Sequence, residues 1–180
     1  DFLERLSEYA AVPTENLLLT NGSDQGIDVI LRSLLESGDE VAMVQPGFPF
    51  FRQVAGTIGC SVVGPQFPPD FRFPHEELKD SVKRQTRLIV VINPNNPTGS
   101  AVSLEQIEDL LKTFPEVPVL VDEAYYEFSG QTCVSLLSNY PNLVVIRTFS
   151  KALGIPGLRL GYVIARPDFI VHLQKIRGPY

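Results

Sequence analysis

This chain of 180 residues is short of basic charge and of sulfur. Lysine and arginine number 15 against 21 acidic residues, for a net charge of −6, and no basic run or basic amphipathic stretch occurs. That argues against nucleic acid or an anionic membrane as the main partner. Cys60 and Cys133 are the only cysteines; without metal-ligand spacing they read as two reduced thiols of a cytoplasmic protein. No stretch approaches a membrane span, and no secretory signal pattern is present. Internal repeats and low-complexity segments are also missing. The two histidines, His75 and His172, stand in a crossover and in a final helix, away from the strand ends. They read as surface or packing residues, and the chain offers no metal constellation.

What the chain has is apolar sequence, 44% of its residues, enough for one sizeable core. Seven apolar runs read as strands: 17–20, 40–45, 60–65, 88–93, 118–122, 143–148 and 160–165. Most are continuous rather than alternating, as in strands covered on both faces. Helical patterns fall between them. One covers Asp24 to Ser37, one runs from Ser103 to Thr113 behind a capping-box pattern with Gln106 third, and one covers 167–177 with proline near its start. Strands alternating with helices predict an α/β three-layer fold around a mostly parallel seven-stranded sheet. The Pro-rich stretch 67–74 reads as a surface crossover. The chain opens inside an amphipathic helix pattern (Phe2, Leu3, Leu6, Tyr9), and Tyr180 follows Gly178-Pro179 with no tail. The expectation is therefore one domain, or part of one, from a longer protein.

Ligands of such sheets bind beyond the C-terminal strand ends, and the unusual residues collect there. The first strand leads into Thr20-Asn21-Gly22-Ser23-Asp24-Gln25-Gly26, where Gly22 permits a tight turn and Ser23 or Asp24 can cap the helix. The free N–H groups of that first turn suit an anion. After the second strand come Phe48, Phe50 and Phe51; the last two read as core, while Phe48 lies nearest the crevice. After the fourth comes Asn93-Pro94-Asn95-Asn96-Pro97-Thr98-Gly99, a proline-locked loop offering exposed amides. After the fifth comes Asp122, then Glu123-Ala124-Tyr125-Tyr126-Glu127. Asp122 follows three apolar residues, so it reads as a buried carboxylate in need of a cationic partner. Glu123 and Glu127 read as structural or exposed. After the sixth come Thr148, Ser150 and Lys151, with Arg159 eight positions further on. That loop brings an amine able to form a Schiff base together with hydroxyls and a guanidinium able to hold a phosphate.

Each loop has a plainer reading taken alone: a capped helix, core aromatics, turn chemistry, a locally paired Asp or a solvated Lys. In this order they supply an amine, an acid for a pyridinium, donors for a phenolic oxygen, a phosphate cradle and a ring stacker. Those are the needs of pyridoxal 5′-phosphate (PLP).

The motifs Asn93–Gly99 and Thr148–Lys151 with Arg159 resemble those of fold-type I PLP-dependent aminotransferases, class I/II. Together with Asn21–Asp24, Val121–Tyr125 and Arg177–Tyr180 they are most similar to the branch acting on histidinol phosphate. The resemblance implies that Lys151 holds the cofactor as an internal aldimine and then moves the proton between Cα and C4′. It implies that Asp122 pairs with the pyridinium nitrogen, that Asn96 and Tyr125 donate to O3′, and that Phe48 stacks on the ring. Backbone groups of Ser23 and Asp24, with Gln25 nearby, hold the phosphate, and Thr148, Ser150 and Arg159 complete the cradle.

The chain departs from the family in Phe48, where tyrosine is commoner, in Gln25, where an acid is common, and in Gly47, where threonine is frequent. The resemblance further implies that 1–180 is the large PLP-binding domain, with an N-terminal arm before it and a small C-terminal domain after it. It implies a homodimer, an antiparallel final strand, and an amino donor with a keto-acid acceptor, histidinol phosphate and 2-oxoglutarate first. Aromatic or other amino acids, a threonine-phosphate type of PLP decarboxylase, and the sensor domain of a transcription regulator stay open. Released carbon dioxide marks the decarboxylase, and a winged-helix segment upstream marks the regulator.

Overall fold

The computed structural model describes residues 1–178; Pro179 and Tyr180, the end of the Arg177–Tyr180 motif, lie outside the described residues. The elements are α1 (Phe2–Ala10), β1 (Leu17–Asn21), α2 (Gly22–Leu34), β2 (Glu40–Met43), α3 (Pro49–Ile58), β3 (Ser61–Val63) and α4 (His75–Ser81). They continue with β4 (Thr86–Ile92), α5 (Leu104–Thr113), β5 (Val119–Asp122), α6 (Tyr126–Ser129), β6 (Leu143–Thr148), β7 (Leu160–Ile164) and α7 (Pro167–Gln174).

The seven strands form one sheet in the order β1-β7-β6-β5-β4-β2-β3. Only β7 is reversed, running antiparallel to both β1 and β6, while the β2–β3, β2–β4, β4–β5 and β5–β6 pairs are parallel. Both faces are covered, which is why the strand sequences are apolar without alternation. On one face Ile89, Val91, Val119, Val121 and Val145 pack with Leu6 of α1, Leu78 of α4 and Ile107, Leu110 and Leu111 of α5. On the other, Leu88, Val90, Leu120, Val144 and Ile146 pack with Ile27 and Ile30 of α2, Phe51 and Val54 of α3 and Ile170 of α7. The result is the expected three-layer sandwich. No helix among the described residues is long and apolar enough to cross a membrane.

Local chemistry sets several element ends. The Ser103 hydroxyl accepts from the Gln106 N–H (3.3 Å) and the Gln106 side chain accepts from the Ser103 N–H (3.1 Å), completing the capping box of α5. Proline opens α3 and α7, where its missing N–H costs nothing. Other boundaries differ from expectation. α2 starts at Gly22 and stops at Leu34, so Ser23 and Asp24 sit inside its first turn and Asn21 takes the cap position. α7 stops at Gln174, three residues early. α1 buries Leu6 and Ala10, whereas Phe2 and Tyr9 stay 46% exposed. The helices α3, α4 and α6 were not expected, and His75 opens α4 instead of lying in the crossover.

The first turn of α2 lies directly against β7. A Cβ on Gly161 would stand 2.5 Å from the Gly22 carbonyl carbon and 2.6 Å from the Ser23 nitrogen, both backbone atoms that cannot rotate away. Gly161→Ala is therefore expected to destabilise the fold by roughly 1–3 kcal/mol, read as a lowered urea midpoint. An unchanged midpoint would show that α2 is free to lift off the sheet.

Candidate active site

Where β1, β5 and β6 end, their last residues and the loops that follow enclose a single cleft. Ser23 and Asp24 enter from the first turn of α2, Phe48 from the loop before α3, and Asn96 from the loop after β4. Asp122 and Tyr125 come from the end of β5, and Thr148, Ser150 and Lys151 from the end of β6. Arg159 reaches in from the start of β7. All the expected site residues but one therefore line the same cleft. Register explains the meeting: Asp122 pairs with Ile92 on β4 and Ile146 on β6, and Thr148 pairs with Gly161 on β7.

Asp122 is the electrostatic centre of the cleft. It is 4% exposed, and its carboxylate accepts one hydrogen bond, from the Ala124 N–H at 3.1 Å. Burial pushes its pKa from the ordinary 3.8 up to about 7, a rise opposed by that bond and by Lys151 and reinforced by Asp24 and Glu123. A buried carboxylate with so little compensation suits an incoming cation.

The opposite end of the cleft suits an anion. Gly22 takes a left-handed φ of +72°, and Arg159 packs so close that a Cβ there would meet its Nη2 at 2.6 Å. Arg159 itself holds a φ of +48°, a strained setting for a residue with a side chain. Its Nη2 pairs with Asp24 at 3.1 Å, both side chains being 46% exposed. The Thr148 hydroxyl lies 3.1 Å from that of Ser150 and accepts the Ser150 N–H at 3.2 Å, so the two hydroxyls are presented together. Lys151 is exposed, with its Nζ 5.4 Å from the centroid of the Tyr125 ring. Phe48 meets Phe51 edge-on, ring centroids 6.4 Å apart, which fixes one wall; Phe51 is fully buried, as expected.

Some expectations need correction. Gln25 does not line the cleft; its Oε1 turns back to accept the Asn21 N–H at 2.7 Å and steadies the start of α2. Of the three amides after β4, only Asn96 faces the cleft. Asn93 is buried and clamps Val102 through both its amide N–H (3.0 Å) and its oxygen (2.9 Å). Asn95, also buried, donates to the Pro46 carbonyl at 3.2 Å and the Thr98 hydroxyl at 2.9 Å, tying this loop to the one bearing Phe48. Ile92 and Ala124 line the cleft unannounced, being ordinary apolar residues at strand ends.

Sequence spacing also missed two polar clusters. Glu123 is fully buried in an ion pair with Arg147 at 2.9 Å. Elsewhere His75, Glu76 and Asp109 gather within 4.8 Å of one another. Lys79 already neutralises that group, 2.8 Å from Asp109 and 3.3 Å from Glu76. His172 stacks on Phe169, a packing role.

The profile of the family described as aminotransferase class I and II matches residues 1–180. A histidinol-phosphate aminotransferase of Dehalococcoides mccartyi is 41% identical over 97% of this chain and 48% of its own length. A histidinol-phosphate aminotransferase from Sinorhizobium meliloti, solved in complex with pyridoxal-5′-phosphate, superposes with a TM-score of 0.91 at 28% identity, over 99% of this chain and 50% of that one. An L-threonine-O-3-phosphate decarboxylase from Porphyromonas gingivalis shares the fold, with a TM-score of 0.82 at 24% identity over 98% of this chain and 55% of that one. The chain thus spans about half the length of the curated relatives it matches.

Asp122 carries a pH signature. The folded chain keeps its proton up to about pH 7, whereas the unfolded chain loses it near the ordinary 3.8. Its contribution to stability is complete below about pH 4 and is lost as pH rises through about 7, on the order of a few kcal/mol. Without ligand, Asp122→Asn should therefore lose less thermal stability than the parent between about pH 5 and 8. Parallel stability curves would mean that Asp122 is ionised in the fold.

Proposed function

Because the chain belongs to the aminotransferase class I and II family, we propose that its parent protein is a PLP-dependent aminotransferase exchanging an amino group between histidinol phosphate and 2-oxoglutarate. The observation that carries this reading is the meeting of Lys151, buried Asp122 and Arg159 in one cleft. The residues present fit PLP. Asp122 is a buried carboxylate with no ion pair among the described residues, and the far end of the cleft offers a guanidinium, two hydroxyls and the N–H groups of a helix start.

When bound, PLP supplies a carbonyl carbon that takes up and releases an amine, and a ring that accepts electrons from the substrate Cα. The amine of Lys151 would hold that carbon and then carry the proton to and from the substrate. Asp122 would stabilise a protonated ring nitrogen. The Asn96 amide and the Tyr125 hydroxyl would donate to the ring oxygen, and Phe48 would cover one ring face and exclude water. The α2 N–H groups of Ser23 and Asp24 would hold the phosphate together with Thr148, Ser150 and Arg159.

We place residues 1–180 as the large cofactor-binding domain, with the arm and small domain that complete a substrate pocket lying elsewhere in the parent. We also place the protein in the cytoplasm as a homodimer. The free thiols of Cys60 and Cys133 support the first, and the exposed Leu153, Ile155 and Leu158 beside the cleft support the second.

Lys151→Ala should cut turnover by at least about 10³-fold and leave PLP removable by dialysis after borohydride treatment. Normal turnover in that variant would refute the role of Lys151. Asp122→Ala should slow proton transfer more than it weakens phosphate anchoring; loss of PLP affinity alone, with the rate per bound PLP intact, would reassign Asp122. The donor is tested on the parent protein loaded with PLP and given L-histidinol phosphate without keto acid. Formation of pyridoxamine phosphate supports the proposal. Conversion by glutamate alone leaves an aminotransferase of another donor, and carbon dioxide released in a separate incubation with L-threonine O-3-phosphate, which unlike histidinol phosphate carries a carboxylate, makes the protein a decarboxylase.

A further inference from the structure

Three cleft positions have their chain neighbours in one cluster on the far side of the sheet. Asp122 is followed by Glu123, Tyr125 by Tyr126, and Thr148 is preceded by Arg147. Strand alternation sends Asp122 and Thr148 toward the cleft and sends Glu123 and Arg147 the other way. There the Arg147 guanidinium gathers the cluster. Its Nε and Nη2 each lie 2.9 Å from Glu123 Oε2, and Nη2 donates to the Thr132 hydroxyl at 2.7 Å. Nη1 donates to the Tyr162 hydroxyl at 3.4 Å, and the Tyr126 ring lies 3.7 Å from the guanidinium carbon. The other oxygen of Glu123 accepts the Cys133 N–H at 2.7 Å.

Both charges are out of water, Glu123 at 0% and Arg147 at 3% side-chain exposure. Burial alone would weaken the hold of Arg147 on its proton; Glu123 and Tyr162 outweigh that and hold its pKa above the ordinary value. Buried ion pairs add little net stability compared with apolar side chains of the same size, so net stability alone does not account for this one. This pair bridges β5 and β6 one residue behind Asp122 and one residue ahead of Thr148.

We propose that Arg147, with Glu123 as its counter-ion, is a positioning residue for the cleft: the pair fixes the Asp122 carboxylate relative to the Thr148 hydroxyl and the Tyr125 turn from behind the sheet. This rests on the reading of the cleft as the PLP site. The charged groups that bear on Asp122 are Asp24 on α2, Glu123 beside it and Lys151 beyond β6. Removing the pair takes away one of the two carboxylates that oppose its ionisation and loosens its seat.

The test compares the full-length parent with the double variant E123Q/R147M and with R147K. The glutamine keeps an oxygen for the Cys133 N–H, and the lysine keeps the charge but not the planar fork. PLP affinity and the pH midpoint of the visible band are measured in the loaded protein. In the PLP-free protein the Asp122 carboxyl carbon is titrated by NMR. E123Q/R147M is expected to bind PLP roughly tenfold or more weakly and to move both midpoints, with R147K recovering part of each change. Parent-like affinity and midpoints in the double variant, whatever its melting temperature, overturn the proposal. If the double variant does not fold, R147K decides, and parent-like values there overturn it too. A parent that takes up no PLP ends the functional reading of the cleft. The carboxyl titration then still decides the positioning role: a moved midpoint upholds it and an unmoved one overturns it.

Discussion

Parallel alignment governs this molecule. Strands β2 to β6 run side by side in one direction, and β1 shares it because β7 is antiparallel to both β1 and β6. Each of these strands therefore ends at the same edge of the sheet. A parallel sheet needs crossovers over its faces, so both faces are roofed and the strand interiors must be apolar. Polar residues can then gather at the strand ends, where backbone N–H and C=O groups run out of ladder partners. The cleft follows from that geometry: Asp122 is the last residue of β5, Thr148 the last of β6, and Ser23 lies two residues past β1.

The same geometry sets the electrostatics. Asp122 has apolar neighbours below it and a single backbone donor beside it, with Lys151 acting on it only weakly enough to leave its pKa raised, so it is ready for a further positive charge. Across the cleft, Arg159 leans on Asp24 in partly solvated surroundings, an arrangement an incoming anion can exchange at modest cost. One end is dry and acidic and the other wet and basic, which orients a ligand that carries both signs.

Much of this was legible because buried parallel strands leave a strong mark. Long apolar runs such as Leu88–Ile92 and Leu143–Ile146 need no partner to be recognised, and residues just past them can be placed by counting. The capping box at Ser103 and Gln106 is equally local. What was not legible depends on contacts between distant segments. The helix α3 opens with Pro49-Phe50-Phe51 and contains Gly56, a composition that hides its periodicity until Phe51, Val54 and Ala55 meet the sheet. Asn93 and Asn95 look like ligand donors in sequence, but their partners Val102 and Pro46 are reachable only once the loop closes. Gln25 belongs to the same class, since its partner is the N–H four residues back. The Glu123–Arg147 pair spans 24 residues and could not be paired by spacing.

The reversed direction of β7 has a consequence for how freely this part of the chain can vary. Between β6 and β7 there is no α-helical crossover, only a connection from Phe149 to Arg159 that is exposed from Lys151 onward and holds one 3₁₀ turn, Pro156–Leu158. Its two ends are fastened to each other, with Thr148 paired to Gly161 and the Phe149 N–H bonded to the Leu160 carbonyl at 2.9 Å. Lys151 and Arg159 stand near those ends, and the tip is bonded to both: the Gly154 N–H donates to the Lys151 carbonyl at 3.0 Å, and the Pro156 carbonyl accepts the Arg159 N–H at 3.2 Å and its Nη1 at 3.4 Å. Lengthening such a tip costs little in loop-closure entropy, about 0.6 kcal/mol for each doubling, but it puts those bonds at risk. Room for insertion is therefore confined to positions that leave the Pro156 carbonyl on Arg159, and a one-residue slip in β7 would turn Tyr162 and Val163 to the wrong faces and carry Arg159 away from the cleft.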